Sequence, residues 1–329
     1  MVLDNARDVV ADTLGVRADE VTFTSSGTDA VHRGLLGLHA GTRRHRPGLV
    51  LGAAEHASVR HAVAWSAAPQ AEARVDSDGV LTVDSALEAV ARCPGQVGVI
   101  AVQAANHEVG TVQPVAEIAD ATGLPLFVDA CASMGRLPLP SGWAVAAGSA
   151  HKWGGPAGVG VMVVRKGARW RAALPGDDRA DPRSVGFENV PAIFGAAAAL
   201  QAVWADAADT DRRQRHLTDL LRGRLAQIPD TDVVGHPIQR LPHLVTASFL
   251  YVDGEALVVE LDRAGFAVAS GSACAASTLE PSAVLAAMGA LTHGNIRVSL
   301  TRDTTEADVI GLADAITDLV PRLRARVGL

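Results

Sequence analysis

The sequence predicts an α/β protein with a large, mostly parallel sheet and a smaller α+β portion after it. Three observations carry that expectation. Short β-branched runs alternate with longer alanine-rich stretches through the first part of the chain, the pattern of successive strand–helix units. Small, hydroxyl-bearing or charged residues follow several of these runs, where ligands of such sheets bind. The chain has 329 residues, which at about 150 per domain suggests two domains.

The elements follow in order. Val21–Thr24 reads as a strand, with a helix from about Thr28 to His39 behind it. Leu49–Gly52 and a helix from about Ala57 to Ala67 form the next unit. Val97–Val102 is a buried strand, followed by a helix around Pro114–Thr122, then strands at Leu126–Val128 and Val159–Val164. A connecting helix runs from Thr210 to Gln227, with Leu217, Leu220, Leu221 and Leu225 on one face. Beyond it, strands at Leu244–Tyr251, Phe266–Ala269 and Ile296–Leu300 alternate with helices at about Gly254–Ala264, Pro281–Met288 and Thr305–Val320. Pro321 is expected to end or kink the last helix. The division predicted is a large α/β domain over 1–205 and a small α+β domain over 206–329. Parallel strand ends then gather Ser25 to Thr28, Glu55-His56, Asn106-His107 and Asp129 around one crevice.

Composition narrows the function classes. Hydrophobic residues make up 48% and charged residues 20%, which excludes a disordered chain, a collagen and a coiled coil. The net charge of −7 argues against direct nucleic-acid binding. The basic run Arg43-Arg44-His45-Arg46 reads as a solvated loop. Cys93, Cys131 and Cys274 are widely spaced with no CxxC. That argues against a disulfide framework or a zinc site and suits a reducing cytoplasm. The N-terminus lacks the basic start and apolar run of a signal peptide. Val190–Ala205, the most apolar stretch, is too short to span a bilayer. No membrane association and no metal are expected.

Only two of the 29 basic residues are lysines, Lys152 and Lys166. A GC-rich coding bias accounts for the arginine excess, but any Schiff-base lysine must be one of these two.

Four segments carry chemistry, each with a plainer alternative. Ala150-His151-Lys152-Trp153-Gly154-Gly155 puts a lysine beside glycines just before a buried strand, where a cofactor can approach the backbone; it also reads as a glycine-rich turn. It matches neither a P-loop nor a dinucleotide fingerprint. Asp129, ending the apolar run Phe127-Val128, is costly to bury without a partner. A protonated pyridine nitrogen is one such partner, and capping of a following helix is the other reading. Thr24 to Asp29 leads from a strand into a helix, where free N–H groups and the helix dipole favour a phosphate; a simple N-cap uses the same residues. Cys274 lies among small residues, Ala269 to Thr278, as an accessible nucleophile needs. A small buried residue is the alternative there, and the preferred reading for Cys93 and Cys131.

Taken together and in this order, these segments resemble the NifS-type (group I) cysteine desulfurases of the class V aminotransferase family. The resemblance runs from about Val21 to Ala315. It rests on Phe23-Thr24-Ser25-Ser26-Gly27-Thr28-Asp29, Glu55-His56, Asn106-His107-Glu108-Val109-Gly110-Thr111, Val128-Asp129-Ala130, Ser149-Ala150-His151-Lys152, Gly186-Phe187-Glu188-Asn189, Ser270-Gly271-Ser272-Ala273-Cys274 and Ile296-Arg297-Val298-Ser299-Leu300. It implies a fold type I enzyme dependent on pyridoxal 5'-phosphate, forming a homodimer. Lys152 would hold the cofactor and take the substrate Cα proton. Asp129 would pair with the ring nitrogen and His56 would stack on the ring. Gly27, Thr28, Ser149 and His151 would bind the phosphate. Asn106 would contact the phenolic oxygen or the substrate, and Arg297 the substrate carboxylate, by a fork that lysine cannot reproduce. Cys274 would attack the sulfur of L-cysteine, leaving L-alanine and a persulfide to be passed to a sulfur-acceptor protein.

The chain departs from the family pattern in places. Family members begin with a segment resembling YLDNAATTP and a further helix, implied to help cover the active site; this chain starts at a stretch like their second helix. Ala132 stands where the family has a glutamine on the phenolic oxygen, and Phe187 where it has a threonine reaching the partner subunit's phosphate. The loop Pro175-Gly176-Asp177-Asp178-Arg179 replaces a glycine-rich one. Each lost hydrogen bond to a charged group costs about 1.5–3 kcal/mol, so weaker cofactor binding is expected. Two other readings follow: a C–S or C–Se lyase on another cysteine-derived substrate, and a homologue without catalysis acting as a scaffold.

Overall fold

The computed structural model describes residues 1–175, 181, 183–270, 281–326 and 328. The chain divides into two compact units. The first comprises Met1–Arg74, Leu81–His107 and Gln113–Ala207. The second comprises Ala208–Leu329 with two short segments from earlier in the chain, Val75–Val80 and Glu108–Val112.

In the first unit, helix α1 (Val2–Leu14) precedes β1 (Val21–Thr24) and α2 (Gly27–Thr42). Then come β2 (Gly48–Gly52), α3 (Ala57–Ser66), β3 (Gln70–Ala73), α4 (Val83–Arg92), β4 (Val97–Gln103), α5 (Val115–Thr122) and β5 (Leu126–Asp129). β6 (Trp143–Ser149), β7 (Gly160–Val164) and α6 (Val190–Ala205) complete it. The seven strands lie in the order β1-β7-β6-β5-β4-β2-β3. β3, β2, β4, β5 and β6 pair in parallel, and β7 pairs antiparallel with both β6 and β1. β1 therefore points the same way as the parallel set. Thr24, Gly52, Gln103, Asp129 and Ser149 all end their strands on one edge, as the alternation in the sequence requires.

Apart from the edge strand β3, the strands are buried along nearly their whole lengths, as expected of a sheet covered on both faces. Phe127, Val145, Leu49, Val99 and Ala101 pack against Ala30, Val31, Leu35 and Leu38 of α2. α2 comes close to the sheet because glycine occupies the contact. A Cβ at Gly34 would lie 2.8 Å from the Phe127 ring, less than any relaxed side chain tolerates.

In the second unit, α7 (Ala207–Leu225) leads to β8 (Thr231–Val234), β9 (Leu244–Phe249), α8 (Gly254–Arg263) and β10 (Ala269–Ser270). α9 (Ala283–Met288), β11 (Asn295–Ser299) and α10 (Glu306–Arg326) follow. The strands form an antiparallel sheet, β10-β11-β9-β8. Its core joins Leu217, Leu221 and Leu225 of α7 to Val245, Phe249, Ile296 and Val298 of the sheet and to Ile316 and Val320 of α10.

The structure alters several element boundaries. α10 does not end at Pro321 but continues to Arg326; burial of Leu319, Val320 and Leu323 around the proline holds the turn that the missing N–H weakens. The strand expected at Phe266–Ala269 begins only at Ala269, and β9 stops at Phe249, before Tyr251 turns to a φ of 62°. β3, β6, β8 and α4 were not anticipated: β3 and β6 carry little β-branched signal, β8 is β-branched but only four residues long, and the amphipathic pattern of α4 was overlooked. Among the described residues, no single helix is long and apolar enough to cross a membrane.

Candidate active site

The edge of the first sheet where the parallel strands end collects most of the residues singled out above. At β1, Ser26 caps α2 by accepting the Asp29 N–H at 3.0 Å. α2 is sixteen residues long, enough for its N-terminal N–H groups to attract an anion. Gly27 is buried in its first turn and Thr28 is exposed. A Cβ at Gly27 would lie 2.5 Å from Ser149 Cβ, 2.7 Å from Ser149 Oγ and 3.2 Å from Cys131 Sγ. The helix start, the end of β6 and the turn after β5 thus meet in a space that only glycine leaves open.

Ser149 is buried, and its Oγ is 3.0 Å from Nδ1 of His151. His151 and Lys152 lie exposed on the 3-10 turn Ala150–Trp153. Trp153 pins this turn by donating its indole N–H to Ala196 O of α6 at 3.0 Å. Partial burial, and then the Lys152 charge, hold the His151 imidazole below its ordinary pKa, favouring the neutral ring at neutral pH.

Asp129 is 6% exposed. Its Oδ1 accepts the Cys131 N–H at 2.9 Å, so the capping alternative is realised in a turn, and that bond leaves the second oxygen for another donor. Cys131 is half-buried. Desolvation, followed by the Asp129 carboxylate, pushes its thiol well above the usual range, while the Lys152 charge opposes this. Asp129 and Lys152 therefore both act electrostatically on the same thiol.

A second cluster lies at the ends of β2 and β4. Asn106 is fully buried and its Nδ2 donates to Ala54 O at 3.2 Å and to Gln103 Oε1 at 3.4 Å. Gln103 Nε2 donates to the same carbonyl at 2.9 Å. His56 caps α3: Nδ1 accepts the Ser58 N–H at 3.1 Å and stands 2.7 Å from Ser58 Oγ. The N–H can only donate, so Nδ1 is the acceptor and the proton of a neutral ring lies on Nε2. The His107 ring stands edge-on to it, centroids 4.9 Å apart at 80°.

The first unit thus brings together Gly27, Ser149, Asp129 and Cys131, with the Lys152 charge acting on Cys131 and His151, and holds His56 and Asn106 on the neighbouring strand ends. Arg297 belongs to the second unit, half-buried on β11, where it stands opposite Ala269 of β10 and Thr246 of β9. Cys274 and Gly176 to Arg179 lie outside the described residues. Sequence reasoning gave no role to Glu55, Gln103 or His107, and treated Cys131 as packing. The signal for Cys131 is its place two residues after Asp129. The signal for Glu55 is a carboxylate directly after the apolar run of β2.

Residues 1–312 match the family model for the class V aminotransferases. The chain belongs to that family. Among curated relatives, class V members named cysteine desulfurase stand out. The cysteine desulfurase IscS of Methanosarcina thermophila is 33% identical over 97% of this chain and 81% of its own length. A cysteine desulfurase of Nostoc sp. is 35% identical over 97% of this chain and 82% of its own. Among solved structures, a NifS-like protein superposes with a TM-score of 0.87 at 26% identity, covering 98% of this chain and 88% of that one. DndA from Streptomyces lividans superposes with a TM-score of 0.77 at 28% identity, over 91% and 87%. The fold is that of the NifS-like class V enzymes.

Proposed function

We infer that this class V member is a pyridoxal phosphate-dependent cysteine desulfurase that converts L-cysteine to L-alanine and passes the sulfur, as a persulfide on Cys274, to an acceptor protein. The observation that carries the reading is the meeting of the α2 N-terminus, Ser149, buried Asp129 and Lys152 at one edge of the sheet.

The residues fit the cofactor. The space at Gly27 that a Cβ would fill is bounded by a hydroxyl and by a helix start, which suits a phosphate. Gly27, Thr28, Ser149 and His151 would hold that phosphate. A carboxylate buried at the end of β5 suits a protonated ring nitrogen. His56 and Asn106 would face the ring, and Lys152 Nζ would bind the cofactor. When bound, the cofactor supplies a sink for the electron pair left at the substrate Cα.

The chain's own residues do the rest. The guanidinium of Arg297 holds the substrate carboxylate through two parallel hydrogen bonds. Lys152 Nζ takes the Cα proton as general base. The Cys274 thiolate attacks the substrate sulfur: the new S–S bond forms as the Cβ–S bond breaks, its electron pair goes to the three-carbon fragment, and that fragment takes up protons to leave as alanine. Delivery of the persulfide to a second protein requires an accessible nucleophile, and the small residues around Cys274 suit that demand.

The reading includes a homodimer, a cytoplasmic location, and a large cofactor-binding part to Ala205 followed by a small part bearing Cys274. Support for a covering partner comes from Phe187, which is 90% exposed close to Val185 and the α2 entrance. The test is product analysis with labelled L-cysteine, added cofactor and a thiol reductant. Alanine with matching sulfide is expected, and Cys274→Ser should abolish it. Pyruvate, or turnover that survives C274S, would favour a lyase instead.

A further inference from the structure

We propose that Glu55 is held as a neutral carboxylic acid in the folded chain and so keeps Asp129 the one ionised carboxylate beside the cofactor ring, making Glu55 a positioning residue that acts through Asp129. This rests on the reading of Asp129 as the partner of the ring nitrogen.

Glu55 is 4% exposed and Asp129 6%. Oε1 of Glu55 accepts the backbone N–H of Gln103 at 2.8 Å, and Gln103 is the residue paired with Asp129 in the β4–β5 ladder. Oε2 is buried and has no hydrogen-bond partner. A buried carboxylate oxygen without a donor is costly, whereas a carboxylic acid leaves no negative charge to satisfy. Two carboxylates this deeply buried and within electrostatic reach of one another do not both ionise unless a cation lies between them.

The candidate cation is Arg60, on α3. It spends Nη1 on Glu72 Oε1 at 2.9 Å and Nη2 on the carbonyl of Ala53. The remaining titratable neighbour on that helix is His56, whose Nδ1 is taken by Ser58. Asp129, on β5, accepts the Cys131 N–H, and the Lys152 charge reaches that same cysteine, whereas Glu55 keeps a buried oxygen with no donor. The proton therefore belongs on Glu55. In agreement, desolvation and then the Asp129 charge push the Glu55 carboxyl well above its usual range, with the Gln103 N–H and Arg60 opposing.

The consequence concerns the ring nitrogen. A second ionised carboxylate next to Asp129 would favour protonation of Asp129 itself, and a neutral Asp129 no longer stabilises a charged ring nitrogen. Glu55 prevents this by holding the proton.

The test uses infrared difference spectra of the cofactor-free chain at neutral pH, comparing the parent with Glu55→Gln and Asp129→Asn. A carbonyl band of a protonated carboxylic acid is expected in the parent and in D129N, and its loss in E55Q. Loss in D129N with retention in E55Q would move the proton to Asp129 and overturn the proposal. The same spectrum for parent and E55Q in that region would show Glu55 ionised, and would overturn it also. The loaded protein gives a second readout: E55Q should bind pyridoxal phosphate within about threefold of the parent and keep its visible spectrum. A tenfold or greater loss in E55Q that Glu55→Asp restores would instead mean a required charge paired with Arg60. A D129N protein that retains the parent's visible spectrum and turnover would defeat the reading of Asp129, while the infrared band would still decide the state of Glu55.

Discussion

Ser149 stands where a side chain on Gly27 would go: a Cβ there would lie 2.5 Å from Ser149 Cβ. Both groups sit on rigid elements, the first turn of α2 and the end of β6, so neither yields cheaply. Gly27→Ala should displace the helix start from the hydroxyl. The expected result is at least a tenfold rise in the cofactor dissociation constant, about 1.4 kcal/mol or more, read from the visible absorbance on titration. A G27A protein that binds cofactor like the parent would remove this cradle from the argument.

The two lost hydrogen-bonding positions that the resemblance implies should be reversible. Ala132 is half-buried in the turn after Asp129, and Phe187 is exposed. Ala132→Gln and Phe187→Thr each restore a hydrogen-bonding group. If one new bond to a charged acceptor forms, affinity should rise by about 1.5–3 kcal/mol, roughly 10- to 100-fold. Equilibrium dialysis of the single and double variants checks this. Unchanged affinity in both would mean that neither position faces the cofactor.

Folding stability should fall as pH rises through neutrality, and Glu55 should be one source of the slope. Its carboxyl titrates higher in the folded chain than in the unfolded one. Its contribution is therefore complete below the unfolded value and is lost as pH climbs toward the folded value, because unfolding then releases a proton. The slope from this one group is about 1.4 kcal/mol per pH unit. Urea denaturation at successive pH values above 5 should show E55Q flatter than the parent, by at most about that amount per pH unit and only until the folded-state value is passed. Parallel curves would contradict it.

Ser282 is expected to matter for stability in the second unit. Its Oγ donates to Glu108 Oε2 at 2.6 Å and accepts the Leu285 N–H at 3.1 Å, capping α9. Glu108 is 4% exposed, and its backbone carbonyl accepts the Thr246 hydroxyl at 2.7 Å. Ser282→Ala removes a helix cap and a donor to a buried carboxyl, together about 2–4 kcal/mol. Thermal melting should show a clear loss, while Ser282→Thr keeps most of it. A loss below about 0.5 kcal/mol in S282A would show the bond to be dispensable.

Much of the first unit was legible because buried parallel strands are short, apolar and β-branched. Val97–Val102 and Leu126–Val128 stand out for that reason. Trp143–Ser149 does not, since its alanines and glycine resemble helix or loop, yet it delivers Ser149 to the site. Gln70–Ala73 is an edge strand that alternates polar and apolar residues, but it is four residues long and has no β-branched side chain to mark it. Asp129 was legible because a carboxylate ending an apolar run demands an explanation. Glu55 meets the same criterion but was overshadowed by the adjacent histidine. Cys131 was legible only through its place two residues after Asp129; its approach to Gly27 in the first turn of α2 spans 104 positions of the chain and could not be read locally. Pro321 does not end α10 because apolar contacts on either side of it outweigh the local backbone preference.

On the proposed reading, the pairing of Ala269 with Arg297 sets the start of the cysteine-bearing stretch against the substrate anchor. β10 is the last described stretch before Cys274, which follows Ser270 by four positions, and β11 carries Arg297. β11 is also held by β9, with Arg297 opposite Thr246, so a one-residue slip of the two-residue β10 would leave Arg297 in place, turn Ala269 and Ser270 to the opposite faces and shift by a full residue the point from which the cysteine-bearing stretch departs. With Arg297 as the proposed substrate anchor and Cys274 as the proposed sulfur carrier, such a slip would misplace the carrier and spare the anchor.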